Sequence, residues 1–61
     1  MGDTATFGVD LGGTNVRVGL VDPDGSVVEE RRAATPSTLD EIVEHITGAV
    51  RAFAPLRPEA R

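Results

Sequence analysis

Asp10, Gly12, Gly13, Thr14, Asn15 and Arg17 crowd into one run, Asp10-Leu-Gly-Gly-Thr-Asn-Val-Arg17. Their types suit one chemistry. Asp10 is a hard oxygen ligand that holds Mg²⁺ directly or through its waters. Consecutive amides at Gly12, Gly13 and Thr14 can form an anion-binding concavity. Glycine there lets a phosphate oxygen approach the backbone. Arg17 supplies a cation for that phosphate. Together they read as a phosphate and metal cradle. A plainer reading competes: Gly-Gly turns close many hairpins, and an exposed Asp–Arg pair contributes under about 1 kcal/mol.

The run must be held by strands. Residues 5–11 alternate, with Phe7, Val9 and Leu11 on one side. Residues 16–22 do the same with Val16, Val18 and Leu20. Period-two alternation with β-branched residues marks strands. Gly12-Gly13 between them signals a hairpin, because glycine accepts the positive φ of tight turns. A two-residue turn there pairs Asp10 with Asn15, Val9 with Val16 and Gly8 with Arg17. One face then collects Phe7, Val9, Val16, Val18 and Leu20. The other collects Gly8, Asp10, Asn15, Arg17 and Gly19, with Arg17 diagonal to Asp10. Strict register turns Thr14 toward the apolar side, so a phosphate role for it requires a distorted turn.

Asp22-Pro-Asp-Gly25 is a second turn. A third strand follows over about 26–33, its Glu29-Glu-Arg-Arg32 stretch charged as solvent-facing edge strands are. Thr35-Pro36 breaks it. Thr38 with Glu41 forms a capping box, with Ser37 and Asp40 as a competing cap. A helix over about 38–53 carries Leu39, Ile42, Val43, Ile46, Val50 and Phe53 as an apolar stripe. His45 reads as a solvated histidine on its flank. Pro55 ends the helix, and a connector follows. The order is β-β-β-α. One helix covers one face of such a sheet and leaves the first strand an open edge, so residues 1–61 read as an incomplete N-terminal part of a larger domain.

Composition narrows the classes. A 61-residue chain buries only about 60% of its unfolded surface. There is no cysteine, hence no disulfide or thiolate metal site. His45 alone builds no zinc site. A net charge of −4 argues against nucleic-acid and anionic-membrane binding. No apolar run approaches the roughly 20 residues of a membrane span. Met1-Gly-Asp-Thr4 lacks the basic start of a secretory leader. A soluble cytoplasmic protein is the expectation.

Asp10-Leu-Gly-Gly-Thr-Asn-Val-Arg17 resembles the first phosphate motif of the superfamily that unites sugar kinases, chaperone ATPases and actin. Within it the resemblance is to the glucokinase and hexokinase branch, particularly the ROK family (repressors, open reading frames and kinases). Gly19-Leu-Val-Asp-Pro-Asp-Gly25 and Thr35-Pro36 extend it across essentially the whole chain. Many ROK kinases carry lysine where Asn15 stands, whereas hexokinases and other glucokinases carry asparagine. The resemblance implies the β-β-β-α portion of a ribonuclease-H-like, actin-like ATPase domain, an α/β fold with a mixed sheet.

It further implies that Asp10 acts through a magnesium–water shell. Gly12, Gly13 and Thr14 would line the ATP phosphates, with Asn15 and Arg17 beside them. The implied full-length protein is an ATP-dependent hexose kinase, with glucose the leading sugar, and a homo-oligomer. The catalytic base, sugar-binding residues and zinc loop of such kinases have no counterpart among these residues. The alternatives are the kinase-like domain of a ROK transcriptional repressor, a non-sugar member of the superfamily, and a non-catalytic module. The start of the first strand within a few residues of Met1 disfavours the repressor. The Thr-Asn-x-Arg ending disfavours the non-sugar member.

Overall fold

The computed structural model describes residues 4–61. Met1-Gly-Asp3, part of the stretch that argues against a leader, lies outside them. Three strands, β1 (Thr6–Leu11), β2 (Asn15–Val21) and β3 (Val27–Ala34), form an antiparallel sheet in the order β1-β2-β3. A helix, α1 (Leu39–Phe53), follows and runs into a 3-10 turn over Ala54–Leu56. Each element sits within about a residue of the span its pattern predicts, as helix and strand ends usually do. Among the described residues no helix is long and apolar enough to cross a membrane.

The hairpin register differs from the simple two-residue turn. Leu11 pairs with Val16, Asp10 with Arg17, Val9 with Val18 and Gly8 with Gly19. The whole ladder is displaced by two residues, so Gly13 and Thr14, rather than Gly12 and Gly13, sit at the tip. A slip of two preserves which side chains share a face, where a slip of one would have inverted them. Phe7, Val9, Val16, Val18 and Leu20 therefore still share one side. Arg17 faces Asp10 directly instead of diagonally.

The turn glycines work differently from expectation too. Among the described residues the only positive φ belongs to Gly25, at 92°. Neither Gly12 nor Gly13 needs glycine's left-handed freedom. Gly25 does: its amide donates to the Asp22 carbonyl at 2.9 Å, closing the Asp22–Gly25 turn. The Ser26 amide then donates to the Asp24 carboxylate at 2.8 Å. That bond holds the Asp24 carboxyl below its ordinary range.

The core lies between the sheet and α1. Ala5, Val16, Val18, Leu20, Ala49 and Phe53 are buried. Phe7, Val28, Ile46 and Val50 pack around them. The helix rests on the sheet through its C-terminal half. Its stripe is therefore used unevenly: Phe53 is buried, but Leu39 is 73% exposed and Val43 52%. Ala49, absent from the expected stripe, is fully buried because a small residue lets helix and sheet approach. His45 lies one helical turn before Ala49, on the same side. It is half-buried rather than solvated, and its Nε2 is buried without a hydrogen-bond partner.

Thr38 is the N-cap, and the Ser37–Asp40 alternative is not used. Its Oγ1 accepts from the Glu41 amide at 3.2 Å. The same hydroxyl donates to the Glu41 carboxylate at 3.0 Å. The box thus closes on the hydroxyl instead of on the Thr38 amide. Pro55 does not open a loose connector; it continues into the 3-10 turn, where its missing N–H leaves no bond unmade. Arg57 then ties this end to the β2–β3 turn. Its Nε and Nη2 donate to the two Asp22 carboxylate oxygens at 2.8 and 3.0 Å. Asp22 in turn raises the Arg57 pKa.

The outer edge of β1 has one visitor. The Arg61 amide donates to the Ala5 carbonyl at 3.1 Å, and the Phe7 amide donates to the Arg61 carbonyl at 2.7 Å. One residue bonding to two that flank a third is the pattern of parallel neighbours. Farther along the same strand Val9 and Leu11 stay half exposed.

Candidate phosphate-binding site

The β1–β2 hairpin brings together all six residues of the acidic, glycine-rich and basic run. Asp10 ends the polar side of β1, and Arg17 stands opposite it on β2. Arg17 Nη2 donates to Asp10 Oδ2 at 2.8 Å. Its Nε lies 3.7 Å from the Glu30 carboxylate of β3. The Asp10 hydrogen bond, with the Glu30 charge behind it, raises the Arg17 pKa above its ordinary value. The pair is open to solvent, the Asp10 side chain at 69% and Arg17 at 46%. It contributes little to stability for that reason. Both groups remain accessible to a ligand.

The tip between them is built from the backbone. The Gly12 amide donates to the Asn15 carbonyl at 2.8 Å, so it is spent within the hairpin. The reverse bond, from the Asn15 amide to the Gly12 carbonyl, is not made. That carbonyl accepts instead from Thr35 Oγ1, at 2.8 Å. The Thr35 amide donates to the Thr14 carbonyl at 3.0 Å. Thr35, just past β3, thus fastens both ends of the tip. The Gly13 and Thr14 amides, at the two tip positions, have no partner among the described residues. Thr14 Oγ1 accepts from Asn15 Nδ2 at 3.2 Å, and both side chains are exposed. Thr14 does not enter the apolar side, because the displaced register makes it a tip residue.

The glycines leave space. A methyl group on Gly13 or Gly8 would meet nothing within 4 Å, and one on Gly12 would only touch the Asn15 carbonyl at 3.5 Å. The fold itself does not demand glycine at the tip. What a side chain there would fill is the open ground above the loop. A concavity of about 230 Å³ lies at this place, lined by Asp10, Gly12, Thr14, Asn15, Arg17 and Arg32. A shallower one of about 310 Å³ runs down the same face over Gly8 and Gly19, between Arg17 and Glu30.

Arg32 is not set apart by the charge run Glu29-Glu-Arg-Arg32, which reads as solvated edge charge. Strand alternation separates these residues. Arg32 pairs with Arg17 and Glu30 with Gly19, which puts both on the polar face. Arg31 goes to the other side, where its guanidinium lies 5.7 Å from the centre of the Phe53 ring. The signal was present in the parity, but it becomes readable only once the β2–β3 register is known.

A magnesium ion fits this donor set in one manner. Among the described residues no group of three or more His, Cys, Asp or Glu side chains could cage a metal. One carboxylate beside free amides is nevertheless ordinary for Mg²⁺, which keeps several waters and takes its other oxygens from phosphate.

No protein-family model matches the chain. Two curated relatives do, the glucokinases of Streptomyces coelicolor and Streptomyces lividans. Each is 42% identical over 45 residues, covering 74% of this chain and 14% of the relative. Among solved structures, a ROK family glucokinase from Streptomyces griseus, in complex with glucose and AMPPNP, superposes with a TM-score of 0.72. It is 39% identical, over 84% of this chain and 16% of its own. The chain therefore spans about one seventh of the length of the relatives it matches. Three antiparallel strands followed by a helix match the N-terminal part of that actin-like ATPase fold.

Proposed function

We propose that this ROK-glucokinase-like segment is the N-terminal piece of an ATP-dependent hexose kinase and holds part of its Mg-ATP phosphate site. The observation that carries the reading is the hairpin tip. Two amides, at Gly13 and Thr14, have no partner among the described residues and stand beside Asp10 and Arg17 over open ground. The named ligands of the Streptomyces griseus structure, glucose and an ATP analogue, support the same substrates here.

Each residue has a task in this reading. The Gly13 and Thr14 amides donate to phosphate oxygens. Thr14 and Asn15 offer side-chain polar groups at the rim. Arg17 offsets phosphate charge while Asp10 keeps it oriented. Asp10, through water, also holds the magnesium ion, which when bound neutralises charge on the transferring phosphoryl group. The base for the sugar hydroxyl belongs to a part of the protein beyond these residues. A cytoplasmic homo-oligomer that phosphorylates glucose completes the proposal.

The test is glucose-dependent ADP formation by the full-length protein. Asp10→Ala is expected to lower kcat by at least about 10²–10³-fold, the size of losing one electrostatic anchor of a transition state. Near-normal turnover in that variant would remove Asp10 from the mechanism. Absence of glucose phosphorylation by the unaltered protein would remove the hexose kinase reading.

A further inference from the structure

We infer that Arg32 is a second phosphate-binding cation, reaching a nucleotide's anionic oxygens from β3 across the same concavity as Arg17. The inference rests on the phosphate-site reading and adds a residue to it. Three observations support it. Arg32 lines the 230 Å³ concavity together with Asp10, Gly12, Thr14, Asn15 and Arg17. It stands directly opposite Arg17 in the β2–β3 ladder. Among the described residues it has no carboxylate within salt-bridge distance, whereas Arg17 has Asp10 and Glu30.

Two like charges facing each other across a strand pair destabilise a sheet. Arg17 has carboxylate partners in Asp10 and Glu30, whereas Arg32 has none within salt-bridge distance among the described residues. The side chains lining the concavity carry two guanidiniums against one carboxylate, on a chain whose net charge is −4. Two guanidiniums at a glycine-lined loop, where the Gly13 and Thr14 amides have no partner among the described residues, suit an anion. The guanidinium fork matches the oxygens of a phosphate. Its neighbour Arg31 shows the contrast. That side chain is occupied against Phe53 on the opposite face and has no access to the loop.

The test compares Arg32→Gln, Arg32→Lys and Arg31→Gln in the full-length protein. Mg-ATP binding is measured by calorimetry, and thermal unfolding is followed with and without Mg-ATP. R32Q is expected to weaken Mg-ATP binding about tenfold, the loss of one charge-assisted contact. R32K should recover part of it and R31Q should leave it unchanged. Without nucleotide, R32Q should unfold at the same temperature or higher, because a like-charge contact is relieved. A lowered unfolding temperature with unchanged Mg-ATP affinity would make Arg32 structural and overturn the inference. Unchanged affinity in R32Q, with D10A inactive, would overturn it alone and leave the phosphate-site reading standing. Failure of the unaltered protein to bind Mg-ATP would overturn both.

Discussion

The Thr35 side chain decides the shape of the loop at the cost of one hydroxyl. It takes the Gly12 carbonyl that a tight turn would have given to Asn15, and its own amide takes the Thr14 carbonyl. The Gly13 and Thr14 amides, which have no partner among the described residues, sit on a loop that these two bonds hold in place. Thr35→Val keeps the shape of the side chain and removes the hydroxyl, so it should cost about 1 kcal/mol of stability. It should also raise KM for ATP while leaving KM for glucose unchanged, and Thr35→Ser should restore both values. An equal rise in both Michaelis constants would mean that Thr35 serves only the fold. The sequence pointed to Asp10 and Arg17 because a carboxylate, two glycines and an arginine are adjacent along the chain. It did not point to Thr35 or Arg32 as loop partners. Thr35 meets Gly12 across 23 positions, and a contact of that separation leaves no local pattern.

At the scale of elements, alternation carried most of the architecture. The two faces of the hairpin survived a wrong choice of turn because the displacement was even. The turn itself was less legible: glycine pairs fit several tip geometries, and the bond from Thr35, just past β3, goes with the one observed. The Asp22–Gly25 turn follows its residues more closely. Gly25→Ala places a Cβ at a φ of 92°, which should destabilise the fold by about 1–2 kcal/mol. Denaturant unfolding checks this, and a change below a few tenths would show that the turn relaxes. The depressed Asp24 pKa adds a pH dependence of known sign. Its contribution is present above the unfolded pKa and lost as pH falls through the lower folded one. Asp24→Asn should therefore flatten the acid limb of the stability curve. The cap at Thr38 was readable from its spacing to Glu41. The uneven burial of the helix stripe was not, because periodicity gives the apolar side of a helix and not how far along its length a sheet supports it.

At the scale of the whole molecule, the described residues leave apolar surface that their own elements do not cover. Val9 and Leu11 on β1, and Leu39 and Val43 on α1, are each at least half exposed. Among the described residues only β2 is flanked on both sides by strands. Hydrogen exchange of the full-length protein should find the β2 amides protected, whatever covers the rest. In the 61-residue chain by itself the outward-pointing β1 amides of Val9 and Leu11 should exchange far faster than those of β2. Equal protection in the two strands would mean that the free edge is covered by self-association, which the concentration dependence of sedimentation would reveal.

The Arg61 bonds to Ala5 and Phe7 have a consequence in time as well as in space. The hairpin can form as soon as its own residues leave the ribosome. Its outer edge meets a backbone partner only after about forty further residues have been translated, roughly 2–8 s at ordinary elongation rates. Throughout that interval a flat apolar strand is exposed on the nascent chain. A holdase that recognises such strands would bind this protein early in synthesis, and synonymous codons that slow the helix region would lengthen the exposure.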